Sequence, residues 1–172
     1  LIIAEWVREE FSLNKVIFIP SFLPPHKETP TAFNIRYQLV ELGVRCNKNF
    51  MVSALERKIT GLSYTINTIR ELKKELPGAD FFLIIGSDQF LEIDTWFQPE
   101  AIVRECHVVV VKRPGFRLSP KMAFYNKVIV STAPELEISS SAIRRRLKKE
   151  MSISYLVPRA VEEFIKRHKL YR

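Results

Sequence analysis

"DFFLIIG", Asp80 to Gly86, is the most apolar short run in the chain, and its surroundings decide the fold. Seven residues are too few for a buried helix, and the run ends on a glycine followed by "SDQF", so it reads as a strand buried on both faces. Working outward, "HVVVVKR" (His107 to Arg113) is a second such run. "KVIFIP" (Lys15 to Pro20), "FMVSALE" (Phe50 to Glu56) and "KVIVS" (Lys127 to Ser131) read as further strands.

Helical segments alternate with these runs. "LIIAEWVREEF" (Leu1 to Phe11) puts Ile2, Ile3, Trp6, Val7 and Phe11 on one face and its charges on the other. "NIRYQLVELGVRC" (Asn34 to Cys46) offers Asn34 as an N-cap, and "SYTINTIRELKKEL" (Ser63 to Leu76) offers Ser63 before Pro77-Gly78 stops it. "PEAIVREC" (Pro99 to Cys106) opens with proline, and helices at about Ser141 to Lys149 and Pro158 to Lys169 complete the pattern. "SFLPPHKETPTAF" (Ser21 to Phe33), with its prolines, is a loop. Apolar strands separated by helices predict a parallel sheet covered on both faces, an α/β fold of three layers. With 172 residues and no linker, repeat or low-complexity segment, one domain spanning 1–172 is expected.

Composition narrows the classes further. An apolar fraction of 47% excludes intrinsic disorder, and no run approaches a membrane-spanning length. Cys46 and Cys106 have no metal-like spacing and read as reduced core thiols of a cytoplasmic protein. The net charge of +8 favours anionic partners without choosing among nucleotide, nucleic acid and lipid.

In parallel sheets, ligands sit beyond the carboxyl ends of the strands, so the strand exits carry the candidate chemistry. After the first strand, "PPHK" sets His26 and Lys27 on a stiff loop, either a phosphate clamp or a solvated turn. "GLSYT" (Gly61 to Thr65) leads into a helix N-terminus suited to a carboxylate or phosphate; Ser63 alone is explained by capping, Thr65 less so. "GSD" allows close approach at Gly86 and offers Asp88 to ribose hydroxyls, although it is not the G-x-G-x-x-G fingerprint. Trp96, in "DTWFQP", either stacks on a flat ring or is structural. In "EISSSAIRRRLKKE", Ser139, Ser140 and Ser141 open a helix with Arg144 one turn in, a phosphate grip or a plain cap. Arg145, Arg146, Lys148 and Lys149 read as its solvated back. His26, His107 and His168 share no metal-ligand spacing, and no serine elbow or P-loop is present, so any chemistry relies on positioning and charge neutralisation.

In their order, "IPSFLPPHK", "ERKITGLSYT", "FFLIIGSDQF…W", "VVVKRPGF", "EISSSAIR" and "YLVPRAVEEFI" resemble the bacterial nicotinate-nucleotide adenylyltransferases of the nucleotidyltransferase superfamily along the whole chain. The most specific match is to the family's I-S-S-T-x-I-R motif, here Ile138 to Arg144 with Ser141 in place of threonine. The resemblance implies a Rossmann-like doubly wound sheet and transfer of the adenylyl group of ATP to nicotinate mononucleotide, with Mg²⁺ carried on ATP. It assigns ATP phosphates to Ser139, Ser140, Ser141 and Arg144, the nucleotide sugars to Gly86 and Asp88, and the pyridine ring to Trp96. Thr65 and the backbone near Phe97, with Tyr64 beside them, would hold the pyridine carboxylate. His26, Lys27 and Arg113 are placed more loosely, at the phosphates or nearby loops on the mononucleotide side.

Family members begin with a strand and a G-x-F-x-P-x-H-x-G-H loop whose histidines bind ATP phosphates. "LIIAEWVREEF" matches the helix after that loop, so a natural chain longer by roughly 20 residues is expected. The alternatives are a sister enzyme using nicotinamide mononucleotide or phosphopantetheine and, from another class, a basic nucleic-acid-binding module; against the latter, the charges do not interleave with exposed aromatics. An oligomer is compatible with all of these.

Overall fold

The computed structural model describes residues 1–25 and 31–171. The elements run α1 (Ile2–Glu10), β1 (Val16–Phe18), α2 (Phe33–Val44), β2 (Phe50–Val52), α3 (Thr65–Glu75), β3 (Phe82–Gly86), α4 (Ser87–Phe90), α5 (Pro99–Glu105), β4 (His107–Val111), β5 (Val128–Val130), α6 (Ser140–Lys148) and α7 (Arg159–Arg167). The strand pairs β1–β2, β3–β4 and β4–β5 are parallel. Among the described residues they form two ladders, β1 with β2 and β3-β4-β5, with no strand pairing between them.

β4 is the middle strand of its ladder, and this explains its sequence. Val108, Val109 and Val110 are each wholly buried, because helices cover both faces of the strand. Val109 and Val111 face α1, where Val7, Ile3 and Phe11 close over them together with Phe82 and Ile84 of β3. Val108 and Val110 face the other way, into a core with Ile85, Ile66 and Ile69 of α3 and Ala101 and Ile102 of α5. Each such side chain removed from water contributes about 1.5–3 kcal/mol, so this three-layer packing supplies much of the driving force for folding. A third cluster joins Ile143 and Leu147 of α6, Val161 and Ile165 of α7, and Leu39 and Leu42 of α2. These pairs at helical spacing fasten the C-terminal helices against the first half of the chain.

Several local expectations change. Asn34 does not cap α2, whose N-cap is Ala32, because Phe33 is already helical. Ser63 does not cap α3 either: Tyr64 occupies the N-cap, and the Ser63 hydroxyl accepts from the amides of Phe22 and Leu23 instead. The strand expected through Glu56 stops at Val52, and a 3₁₀ turn, Leu55–Arg57, follows. Cys46 is exposed rather than in the core, since α2 ends at Val44 and the chain turns away from the packed face. Cys106 is half-buried, and burial pushes its thiol up to about 11. Among the described residues, no helix is long and apolar enough to cross a membrane.

Candidate active site

A cleft of about 930 Å³ opens where β3 and β4 end and α6 begins. That volume suits a nucleotide-sized ligand. It brings together three groups that are distant in sequence: Asp88 after β3, Arg113 after β4, and Ser139 to Arg144 at the start of α6.

The two strand exits are fastened to each other. Ser87 is fully buried, and its Oγ accepts from the Arg113 amide at 2.9 Å. One residue on, the Arg113 guanidinium donates Nη1 to Asp88 Oδ2 at 2.7 Å. Asp88 Oδ1 is also buried but has no partner among the described residues. Asp88 lines the cleft, so its carboxylate stands at the cleft wall with one oxygen unsatisfied. Glycine at position 86 makes room for this pair: a Cβ would lie 2.2 Å from Asp88 Oδ1 and 2.9 Å from Arg113 Cδ. The resemblance placed Arg113 loosely on the mononucleotide side; the ion pair puts it beside Asp88 in the cleft.

At the opposite wall, Ser139 is the N-cap of α6, its Oγ accepting from the Ala142 amide at 3.1 Å. This hydroxyl is therefore engaged in capping. Ser140 and Ser141 are exposed, and the helix start concentrates unpartnered amides and positive dipole at the cleft. Arg144 Nη2 reaches back to Ser141 Oγ at 3.3 Å, so the guanidinium lies over that first turn. Arg145, expected on the solvated back of the helix, lines the cleft as well. Arg146 instead donates to the Ser152 carbonyl, while Lys148 and Lys149 are exposed. The segment that delivers α6 is anchored at the end of β5. There Glu10 of α1 accepts from the Ser131 hydroxyl and the Thr132 amide, and Trp6 donates to Thr132 Oγ1. Burial works to raise the Glu10 carboxyl, but the bonds from Ser131 and Thr132 outweigh it and hold it below the ordinary range.

Tyr64, Thr65, Trp96 and Phe97 form a separate group that does not line this cleft. The rings of Tyr64 and Phe97 stack with centroids 4.5 Å apart. Tyr64 and Trp96 both pack on the core cluster beneath α3, and Phe97 is 46% exposed. Thr65 is the first residue of α3, where amides lack intrahelical partners. Both readings of Trp96 are thus compatible with its place, half-buried against the core. His26 and Lys27 lie outside the described residues. No group of three or more His, Cys, Asp or Glu able to hold a metal ion occurs among the described residues.

Sequence reasoning missed Arg36, Arg145 and Glu56. Arg36 lines the cleft from α2 and also sits over the Phe33 ring, 5.6 Å from its centroid. Its position one turn into the helix after a strand exit was the available signal. Glu56 is a buried carboxylate in the 3₁₀ turn after β2, with no sequence mark to set it apart from exposed glutamates.

The chain's residues 1–146 match the family model of cytidylyltransferase-like proteins. It is 41% identical over 194 residues to the probable nicotinate-nucleotide adenylyltransferase of Geobacter metallireducens, covering 98% of this chain and 89% of that one. With its counterpart in Exiguobacterium sibiricum the identity is 42% over 173 residues, covering 99% and 90%. The chain belongs to the nicotinate-nucleotide adenylyltransferase family. The Plasmodium falciparum nicotinic acid mononucleotide adenylyltransferase complexed with NaAD superposes with a TM-score of 0.78 at 20% identity. It covers 97% of this chain and 89% of its own, which establishes the shared α/β fold.

Proposed function

We propose that this protein transfers the adenylyl group of ATP to nicotinate mononucleotide, giving nicotinate adenine dinucleotide and pyrophosphate in NAD biosynthesis, a cytoplasmic task. The observation that carries the reading is the cleft joining the unsatisfied Asp88 acceptor to the serine-rich start of α6 with Arg144 over it. A sugar-binding acceptor and a phosphate-binding helix end, in one nucleotide-sized space, are what ATP requires.

The mononucleotide phosphate oxygen attacks the α-phosphorus in line; that P–O bond forms as the α–β bridging bond breaks, and the electron pair leaves with pyrophosphate. Negative charge grows on the departing oxygens, where the exposed hydroxyls of Ser140 and Ser141, the α6 amides and Arg144 and Arg145 accept it. Asp88 binds a ribose hydroxyl and fixes the nucleoside. Trp96, Tyr64 and Phe97 offer the pyridine ring aromatic faces, and the start of α3 at Thr65 offers its carboxylate amide donors. Arg113, paired with Asp88, lies at the ATP cleft in this reading, and His26 and Lys27 keep the phosphate-side assignment that the resemblance implies. The donor set of the cleft, Glu137 and the ion-paired Asp88 among hydroxyls and guanidiniums, fits a Mg²⁺ that arrives on ATP's phosphates and water rather than one caged by carboxylates. When bound there, it neutralises phosphate charge.

Pyrophosphate release from ATP, assayed on the full chain with nicotinate mononucleotide, tests the proposal. The expected result is turnover dependent on both substrates. Replacing the acid mononucleotide with its amide or with phosphopantetheine separates the sister enzymes. Release with the amide at equal kcat/KM contradicts the role of Thr65, and no release with any acceptor contradicts the function.

A further inference from the structure

Glu56 stands apart from the other carboxylates of the protein. It is 8% exposed, yet among the described residues no Lys or Arg pairs with it. Its two oxygens instead accept from neutral donors on two different segments. Oε2 accepts from the Phe22 amide at 2.9 Å, in the loop after β1; Oε1 accepts from the Thr68 hydroxyl at 2.9 Å, on α3. Thr68 is itself 7% exposed. A buried carboxylate bonded only to neutral groups is costly to desolvate, so packing alone does not account for it.

The three segments it joins meet at one place. Ser63 reinforces the connection: its hydroxyl accepts from the Phe22 and Leu23 amides, and its own amide donates to the Leu23 carbonyl at 2.8 Å. Thr68 lies one turn along α3 from Tyr64, whose carbonyl accepts both the Thr68 amide at 3.3 Å and, more weakly, its hydroxyl at 3.4 Å. Fixing Thr68 therefore fixes the first turn of α3, which carries the Thr65 amide and the Tyr64 ring stacked on Phe97. Without Glu56, the loop after β1 keeps the Ser63 bonds, but α3 loses its side-chain tether to that loop.

We propose that Glu56 is a positioning residue for the acceptor substrate: it holds the N-terminus of α3 in the place where the mononucleotide is bound, and it leaves the ATP cleft untouched. This rests on reading the Tyr64–Phe97 group as the mononucleotide side. Neither Glu56 nor Thr68 lines the Asp88–Arg144 cleft, so the effect is confined to one substrate. The role needs acceptor and donor geometry rather than charge. A glutamine at 56 meets it, its oxygen accepting from Phe22 and its amide nitrogen donating to Thr68 Oγ1, whose proton turns to the Tyr64 carbonyl.

The test is steady-state kinetics on the full chain, with each substrate varied in turn, for Glu56→Ala, Glu56→Gln and Thr68→Val, beside thermal unfolding of each. Expected is a rise of roughly tenfold in KM for nicotinate mononucleotide in Glu56→Ala, the scale of one buried hydrogen-bonding group left unpaired. KM for ATP stays within about twofold in that variant, since lost acceptor contacts are not shared with ATP. Thr68→Val, nearly isosteric, shows the same one-sided change, and Glu56→Gln returns close to the parent. Equal rises in both KM values, no change in either, or Glu56→Gln as impaired as Glu56→Ala overturns the proposal. Should Glu56→Ala not fold, Thr68→Val and Glu56→Gln decide by the same criteria. A parent chain that releases no pyrophosphate refutes the function itself, an outcome distinct from an active parent with indifferent variants.

Discussion

Gly86→Ala is the sharpest perturbation the cleft permits, because its consequence is set by one measured gap. Gly86 sits at φ −78°, ψ 156°, extended backbone that alanine adopts without strain. The whole effect is therefore steric. The new Cβ would stand 2.2 Å from Asp88 Oδ1 and 2.9 Å from Arg113 Cδ, well inside contact distance. Both atoms belong to side chains, so the carboxylate swings away and the backbone stays. The swing breaks the 2.7 Å pair with Arg113, whose partners are about one-third exposed at 36% and 27%. Solvent screening limits that loss to about 0.5–1 kcal/mol. For a chain of this size a change of that order lowers Tm by about 2–4 °C or less. Binding suffers more. A hydrogen bond from a ribose hydroxyl to an ionised carboxylate is worth about 1.5–3 kcal/mol, which predicts a rise of roughly 10- to 100-fold in KM for ATP. Because Gly86→Ala acts through Asp88, the double variant Gly86→Ala/Asp88→Ala should cost no more than Asp88→Ala alone. Differential scanning fluorimetry and pyrophosphate release on the three variants check this. Normal KM for ATP in Gly86→Ala, or fully additive losses in the double variant, refutes the reasoning.

Arg144→Ala should lower kcat by about 10²–10³-fold, the usual loss on removing one donor to a developing oxyanion, with Arg144→Lys recovering part of it. Tm should not move in either, since Arg144 is exposed. Titration with an aromatic disulfide at pH 8 should label one thiol quickly, the exposed Cys46. Cys106, with its thiol near 11, should react only after denaturation. Acid should destabilise the fold in a defined window. Glu105, held low by the Arg70 guanidinium, and Glu162, held low by Lys166 and Ser154, lie with Glu10 below the ordinary glutamate value of 4.5. The unfolded chain then binds more protons below 4.5, so stability is full above that pH and is lost as pH falls through the lower folded values. Urea midpoints measured from pH 7 to pH 3 should be flat to near 4.5 and then decline; a midpoint that holds through pH 3 contradicts the assignment.

Much of this architecture is legible in the chain because it is local. The β3 and β4 runs are apolar throughout, as strands buried on both faces must be, and the strand exits at Gly86 and Asp88 follow directly from the end of one run. The serine-rich start of α6 is legible for the same reason, since an N-cap and its first turn lie within four residues. What escaped reading depends on contacts between distant segments. Ser63 looks like a cap, but its hydroxyl bonds amides 40 and 41 residues earlier, brought close by the loop after β1. Glu56 bonds Phe22 across 34 residues, and nothing at its own position announces burial. Arg145 follows Arg144 in a run of like residues, and only the packing of Ile143 and Leu147 against α7 fixes which of them turns to the cleft.

That packing also bears on how a nucleotide would be oriented. ATP offers a neutral diol at one end and a polyanion at the other, and the cleft is chemically asymmetric along the same line. At the β3–β4 end the cation, Arg113, is already matched by Asp88 Oδ2, and Asp88 Oδ1 is a buried acceptor without a partner among the described residues. An acceptor attracts a hydroxyl and repels a phosphate. At the α6 end the first turn carries no carboxylate, the cleft's other acid, Glu137, precedes it, and Arg144 and Arg145 make no ion pair among the described residues. A phosphate gains there from amides, hydroxyls and two guanidiniums at once. Binding the nucleotide in reverse would set phosphates against Asp88 and leave Arg144 and Arg145 unmatched, both unfavourable. On the proposed function, the Asp88–Arg113 pair would act less as a stabilising salt bridge than as a sign setter: by consuming its own cation, it would favour the sugar at that end and direct the phosphates toward α6.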